Sequence, residues 1–208
     1  MLHLPHASTF IPEDLRDDFL LSDQELLAEL NRITDHATDV IFKQVFPEAK
    51  AIVFPVSRLV VDPERFSEDS QESMSQVEMG VTYTRGSLRQ PLRELPSKVK
   101  REELLEQYYI PYHQKLTEAV EESLLANGHC LIIDGHSFPS KVLPYELNAE
   151  AARPDFCLGT DDSILRRSWW EGSNLSCSAS AIQQCVTSHL AEQSSHSSTI
   201  AKISESIH

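Results

Sequence analysis

The chain has 208 residues, 40% hydrophobic and 24% charged, the make-up of one globular domain with a core of its own. Its formal net charge of −14 excludes nucleic acid as the main partner, since phosphate binding needs a basic face, but allows a small anionic ligand held by a few local arginines. No apolar run is long enough to span a bilayer, so no membrane partner is expected; no secretory leader opens the chain, and the scattered Cys130, Cys157, Cys177 and Cys185 read as reduced thiols of a cytoplasmic protein.

The start of the chain reads as a strand feeding a loop, and Ile11-Pro12 opens a short acidic helix. Ser22 or Asp23 caps the next helix, where Leu26, Leu27, Leu30, Ile33, Ala37, Val40 and Ile41 recur at helical spacing and predict one helix ending before Pro47. Residues 51 to 54 are a buried strand. Residues 57 to 96 are polar and irregular, and loops that long in a compact domain are functional or disordered. Ser97 caps a helix running to about residue 127 and closed by Gly128, with Pro111 kinking or splitting it. Residues 130 to 133 form the central strand, and residues 156 to 158 another. Strands alternating with helices predict an α/β fold, a mainly parallel mixed sheet with helices on both faces. After Asp162 the chain turns serine-rich and loses periodicity; residues 163 to 208 are expected to be disordered or loosely packed, because such a composition buries too little apolar surface to offset its entropy.

Chemistry concentrates at strand ends. The central strand runs into Asp134-Gly135-His136-Ser137, the C-terminal strand edge where open α/β sheets keep their sites. The glycine allows an unusual backbone turn there, so that His136 can face a metal while Asp134 orients a ligand or caps the strand. His6 follows Pro5 in a similar position, as a metal ligand or a capping histidine. Thr34-Asp35-His36-Ala37-Thr38-Asp39 offers three candidates for a third ligand, Asp35, His36 and Asp39, against a solvated helix face. Arg58 and Arg65, around Asp62 and Glu64, suit a substrate carboxylate or form surface salt bridges; Arg85 is a further anion-binding candidate. His113 lies within a helix as a supporting residue, and His3 and His129 are assigned to packing.

In order along residues 1 to 162, these segments resemble the N-formylglutamate amidohydrolase family. Leu4-Pro5-His6-Ala7-Ser8 resembles its Pro-His-Ser-Gly segment, and Thr34-Asp35 with Thr38-Asp39 its Asp-x-x-Thr helix. Ser57-Arg58 through Asp62 and Arg65 resembles its Ser-Arg…Asp-x-Asn-Arg motif, with Glu64 in place of the asparagine. Tyr112-His113, Asp134-Gly135-His136-Ser137 and the segment from Pro154 to Thr160 follow in order. The resemblance implies a three-layer sandwich of the zinc-peptidase type and a divalent metal, zinc, held by His6, Asp35 and His136. It further implies Arg58 and Arg65 on the carboxylates of a small acyl-amino-acid substrate; Arg85 stays a further anion-binding candidate, and Asp134, His113 and Asp62 are read as lying behind the ligands. The implied reaction is hydrolysis of N-formyl-glutamate to formate and glutamate.

The family's late Glu-x-Asn-Arg motif, its expected general base, has no counterpart after residue 162, so no catalytic base is assigned and the domain is expected to be incomplete and inactive as written. The expectation is that one base was lost in the gene near Ser163. Read one base earlier, the single-codon pair Trp169-Trp170 becomes a valine preceded by leucine, methionine or valine, which suits a helix.

Overall fold

The computed structural model describes residues 1–146 and the backbone of residues 202–205. Its sheet has the order β2-β1-β3-β4, with β1 Leu2–Leu4, β2 Ala51–Val53, β3 Leu131–Asp134 and β4 Lys202–Glu205. The first three strands are parallel and β4 runs antiparallel to β3, giving the mainly parallel mixed sheet that the alternation predicts. Both strands that carry a histidine to their C-terminal end, β1 and β3, hold the inner positions. Parallel register sets His3 beside Asp134, so the two strand tips finish level. β4 comes from the serine-rich tail; the rest of that tail, the strand expected at residues 156 to 158, and Cys157, Cys177 and Cys185 lie outside the described residues. Cys130 is buried and unbridged. Among the described residues no helix is long and apolar enough to cross a membrane.

The single helix expected from residue 23 to Pro47 is two: α1 Asp23–Ile33 and α2 Thr38–Val45. α1 starts in a reciprocal capping box, Ser22 accepting from the Glu25 N–H and Glu25 from the Ser22 N–H, which satisfies donors the first turn leaves open. Between the helices Thr34 is extended and Ala37 left-handed at φ 61°. The break is tied to the sheet, the Asp35 N–H donating to the His6 carbonyl at 3.0 Å. It also resets the helical phase: Leu26, Leu30 and Ile33 are buried, whereas Val40 and Ile41, expected on the same face, are exposed.

Residues 57–96 are irregular but tightly built. Leu59, Val61, Met74, Val81, Tyr83 and Leu92 are fully buried in the core. Arg93 staples the segment from inside, donating to the Tyr83 carbonyl at 2.7 Å, the Val60 carbonyl at 3.0 Å and the Leu59 carbonyl. Burial pulls its guanidinium down to about 10, with Asp18 offsetting only part of that.

The predicted helix from Ser97 to Gly128 is present, and Pro111 splits it as expected. α3 Lys98–Leu104 and α4 Ile110–Asn127 flank one π-helical turn, Leu105–Tyr109. Proline has no N–H for the helical ladder, and the wider turn before it absorbs the missing bond. Ser97 caps the start, and Gly128 closes α4 at φ 74°, where a Cβ is disfavoured.

Gly135 is required for a different reason from the expected one. Its backbone is not left-handed; instead a Cβ there would meet Leu4 Cδ2 at 2.6 Å and Phe42 ring carbons at 2.8 Å. Gly135→Ala will therefore push β1 or α2 away, at a cost of about 1–3 kcal/mol. Urea unfolding will show a lower midpoint with an unchanged slope.

Candidate metal centre

His6, on the loop leaving β1, and His136, on the loop leaving β3, meet with ring centroids 5.3 Å apart. Asp35, from the break between α1 and α2, joins them. Its Oδ2 is 2.8 Å from His136 Nδ1 and 3.6 Å from His6 Nδ1. One ligand atom from each of these three buried residues lies within 4.8 Å of the others. The alternatives fall away from this point: His36 is exposed with its Nε2 on the Asn31 carbonyl, and Asp39 lies on α2, half-buried.

The loop after β2 supplies the surrounding polar shell. Asp62 is fully buried and accepts from His6 Nε2 at 2.9 Å, from Arg58 Nε at 3.1 Å and Nη2 at 2.7 Å, from the Tyr83 hydroxyl, and from the Glu64 N–H at 3.0 Å. With Nε2–H held by Asp62, Nδ1 is the His6 nitrogen that faces Asp35 and Glu64, and the one a metal would take once its proton is lost. That buried Nδ1 has no hydrogen-bond partner among the described residues. Arg58, expected to meet substrate, is held by Asp62 and Tyr83. Arg65 is buried and makes an ion pair with Asp62 through Nε at 3.6 Å, longer than a hydrogen bond. Arg85 stands apart, donating to Glu78 Oε2 at 3.0 Å on a partly exposed turn.

Two residues have more prominent places than the sequence suggested. His3, assigned to packing, instead binds Asp134 Oδ1 through Nδ1 at 2.7 Å. Glu64, weighed only as a salt-bridge partner, reaches both imidazoles: Oε1 is 3.1 Å from His136 Nε2 and Oε2 is 3.4 Å from His6 Nδ1. Asp134 Oδ1 also lies 3.2 Å from His136 Nε2. His113 is half-buried on α4 and bonds the Pro63 carbonyl at 2.9 Å, so it braces the loop that carries Glu64. His129 bonds only the local backbone, through Nδ1 to the Asn127 carbonyl.

The electrostatics suit a cation. Asp35, Asp62, Glu64 and Asp134 face two guanidiniums, Arg58 and Arg65, an excess of two negative charges that two imidazolium ions or one divalent ion would balance. Burial opposes charge on His136, but Glu64 and Asp134 overcome it and hold the ring protonated well above its ordinary range. The same contest raises His6, where burial and Arg58 work against Asp62 and Glu64. Asp35 pays for burial yet is held at about 2 by His136 and His6. Two imidazoles and a carboxylate with one unpartnered buried nitrogen are a donor set that zinc takes.

A family model described as N-formylglutamate amidohydrolase matches residues 1–199, reaching past residue 162 into the serine-rich stretch. A crystal structure of N-formylglutamate amidohydrolase from Ralstonia eutropha JMP134 is similar at a TM-score of 0.65 and 23% identity, covering 78% of this chain and 62% of that one. That likeness is one of fold, and the chain spans less than two thirds of its neighbour's length. No curated protein matches the chain. A family match over nearly the whole sequence, on an α/β fold shared with that structure, establishes that the chain belongs to the N-formylglutamate amidohydrolase family.

Proposed function

We propose that this protein is a metal-dependent amidohydrolase that cleaves the amide of small acyl-amino acids, N-formyl-L-glutamate first among them, on a three-layer fold of the zinc-peptidase type. The observation that carries the reading is the convergence of His6, Asp35 and His136, from three distant segments, at one buried point above the strand ends. His6 Nδ1, Asp35 and His136 would hold a divalent cation, zinc. When bound, that ion supplies polarisation of the acyl oxygen and acidifies a water molecule.

The protein's own groups set the rest. Asp62 fixes His6 in the tautomer that leaves Nδ1 available. Arg65, ion-paired with Asp62 through Nε at 3.6 Å, would offer a guanidinium to a substrate carboxylate, and Arg58 keeps Asp62 ionised beside it. A second reading, a carboxylate-binding protein without turnover, is supported by the absence of the Glu-x-Asn-Arg motif after residue 162. In that reading residues 1–162 are an incomplete domain and the tail the product of a base lost near Ser163, which sequencing of the locus and the intact protein mass would test.

Equilibrium dialysis against zinc, followed by a formate assay on N-formyl-L-glutamate, separates the readings. One equivalent of zinc with formate release supports the enzyme; binding of glutamate without release supports the second reading; no zinc uptake removes the first. The affinity will also rise with pH. His136 and His6 are held protonated above 6.5, a ligand nitrogen must shed its proton to bind, and each proton displaced strengthens binding about tenfold per pH unit until that group has titrated. Competition titrations at pH 6, 7 and 8 will show tightening; a flat profile contradicts the protonated cluster.

A further inference from the structure

We propose that His3, Glu64 and Asp134 hold a second divalent cation, beside the one assigned to His6, Asp35 and His136; this site stands whether or not an amide is cleaved. One ligand atom from each of the three residues lies within 4.8 Å of the others. His3 comes from β1, Asp134 from β3 and Glu64 from the loop after β2, so the cluster draws on the same strand ends as the first. Asp134 Oδ1 and Glu64 Oε1 lie 3.2 Å and 3.1 Å from His136 Nε2, the ring nitrogen that Asp35 does not bond.

Two buried groups in this corner lack the partners that a ligand would supply. Asp134 holds His3 through Nδ1 at 2.7 Å, and the other ring nitrogen, Nε2, is buried with no hydrogen-bond partner among the described residues. A histidine held by a carboxylate at one nitrogen and open at the other has the usual posture of a metal ligand. The Tyr112 hydroxyl has no such partner either, although only 3% of the residue is exposed. Its ring is fixed edge-on against Phe54, with centroids 5.0 Å apart, and lies 5.7 Å from the His3 ring. Burial keeps the phenol proton in place, and Glu64 and Asp134 are the charges that add most to this. Both acids are near enough to act on the hydroxyl, yet neither accepts from it. An ion with its bound water among these groups would give the nitrogen and the hydroxyl what they lack.

The donors are one imidazole and two carboxylates, a set that zinc or manganese takes. Glu64 is mounted for the role. Its N–H donates to Asp62 at 3.0 Å, and the carbonyls on either side of it are clamped from the long helix, Pro63 by His113 at 2.9 Å and Arg65 by the Tyr109 hydroxyl at 3.0 Å. Its side chain is 24% exposed, which gives an ion a path from solvent, and its Oε2 lies 3.4 Å from His6 Nδ1, so one carboxylate reaches both sites. Charge sets the order of filling. One divalent ion already balances the four carboxylates against Arg58 and Arg65, so the second binds more weakly than the first.

The test is equilibrium dialysis of the full chain against zinc and, separately, manganese, with thermal melting of the metal-free protein. The parent is expected to take one equivalent at low metal and a second at higher metal. Tyr112→Phe removes only the unpartnered hydroxyl, so it should melt like the parent, bind the first equivalent unchanged and bind the second about 10- to 100-fold more weakly. His3→Gln should lose the second equivalent and keep the first; Asp35→Ala should do the reverse. A parent that saturates at one equivalent of either metal overturns the proposal, and formate release by that parent would leave the hydrolase reading standing. A second equivalent that survives both Tyr112→Phe and His3→Gln marks an adventitious ion only and also overturns it. So does the loss of both equivalents together in a variant that melts like the parent, which would make the two clusters one site. A parent that takes up neither metal overturns this proposal and the hydrolase reading alike.

Discussion

Asp62→Ala will destabilise the protein by about 3–5 kcal/mol, the usual cost of removing one member of a buried ion pair. Asp62 is fully buried and is the common acceptor for Arg58, His6 and Tyr83. Its carboxyl is held well below the usual carboxylate range: burial alone would raise it, but Arg58, His6 and Arg65 outweigh that. Without it the Arg58 guanidinium, also buried, is left with a tyrosine hydroxyl and the weaker pull of Asp35, and the loop of residues 57–65 loses the point around which it turns. Asp62→Asn keeps the shape and part of the hydrogen bonding and should lose less. Replacing both partners, Asp62→Ala with Arg58→Met, should recover part of the loss, because an apolar pair needs no desolvation. Urea unfolding of the two single variants and the double variant gives the coupling energy directly; an additive double variant would show that the pair does not act as a unit.

That unit was only partly legible in the sequence. Apolar runs ending in His6 and His136 were enough to place both histidines at strand tips, because strand direction and the carboxyl-edge rule are local and topological. Asp35 lies in a break between two helices, not on the single helix that the spacing predicts. The apolar period continues through Thr34 to Ala37, and alanine gives no sign that it will adopt φ 61°, a conformation that glycine or asparagine would have announced. The break is fixed instead by a tertiary hydrogen bond, Asp35 N–H to His6 carbonyl. Glu64 was hidden for the same reason. An acid in an irregular loop reads as solvated, and its approach to the imidazoles depends on Tyr109 and His113, side chains from a helix far along the chain. His3 looked like packing because strand register, which sets it beside Asp134, is not written in either segment alone. Arg93, which ties together the carbonyls of residues 59, 60 and 83, carried no motif at all.

The break between α1 and α2 makes the strongest prediction for the metal. Asp35→Ala will weaken zinc binding by about a hundredfold or more, since structural zinc sites bind with roughly 10–16 kcal/mol spread over four ligands, about 3 kcal/mol each. His36→Ala and Asp39→Ala, one residue and one turn away, should leave the affinity within twofold, because His36 turns to the Asn31 carbonyl and Asp39, on the first turn of α2, is not among the three converging residues. The same substitution has a metal-free signature. Asp35 is lowered from 3.8 to about 2, worth roughly 2 kcal/mol, by partners that hold its charged form against burial. A depressed carboxyl stabilises the fold above its unfolded pKa, and that contribution is lost as pH falls from about 3.8 through about 2. In the zinc-free parent, stability should therefore drop across that window, and in Asp35→Ala the drop should be smaller. Zinc competition at neutral pH and unfolding curves between pH 2 and 5 measure the two effects separately. Were Asp35→Ala to keep full zinc affinity while His36→Ala lost it, the third ligand would be the imidazole, and the helix break would have to open differently once the ion binds.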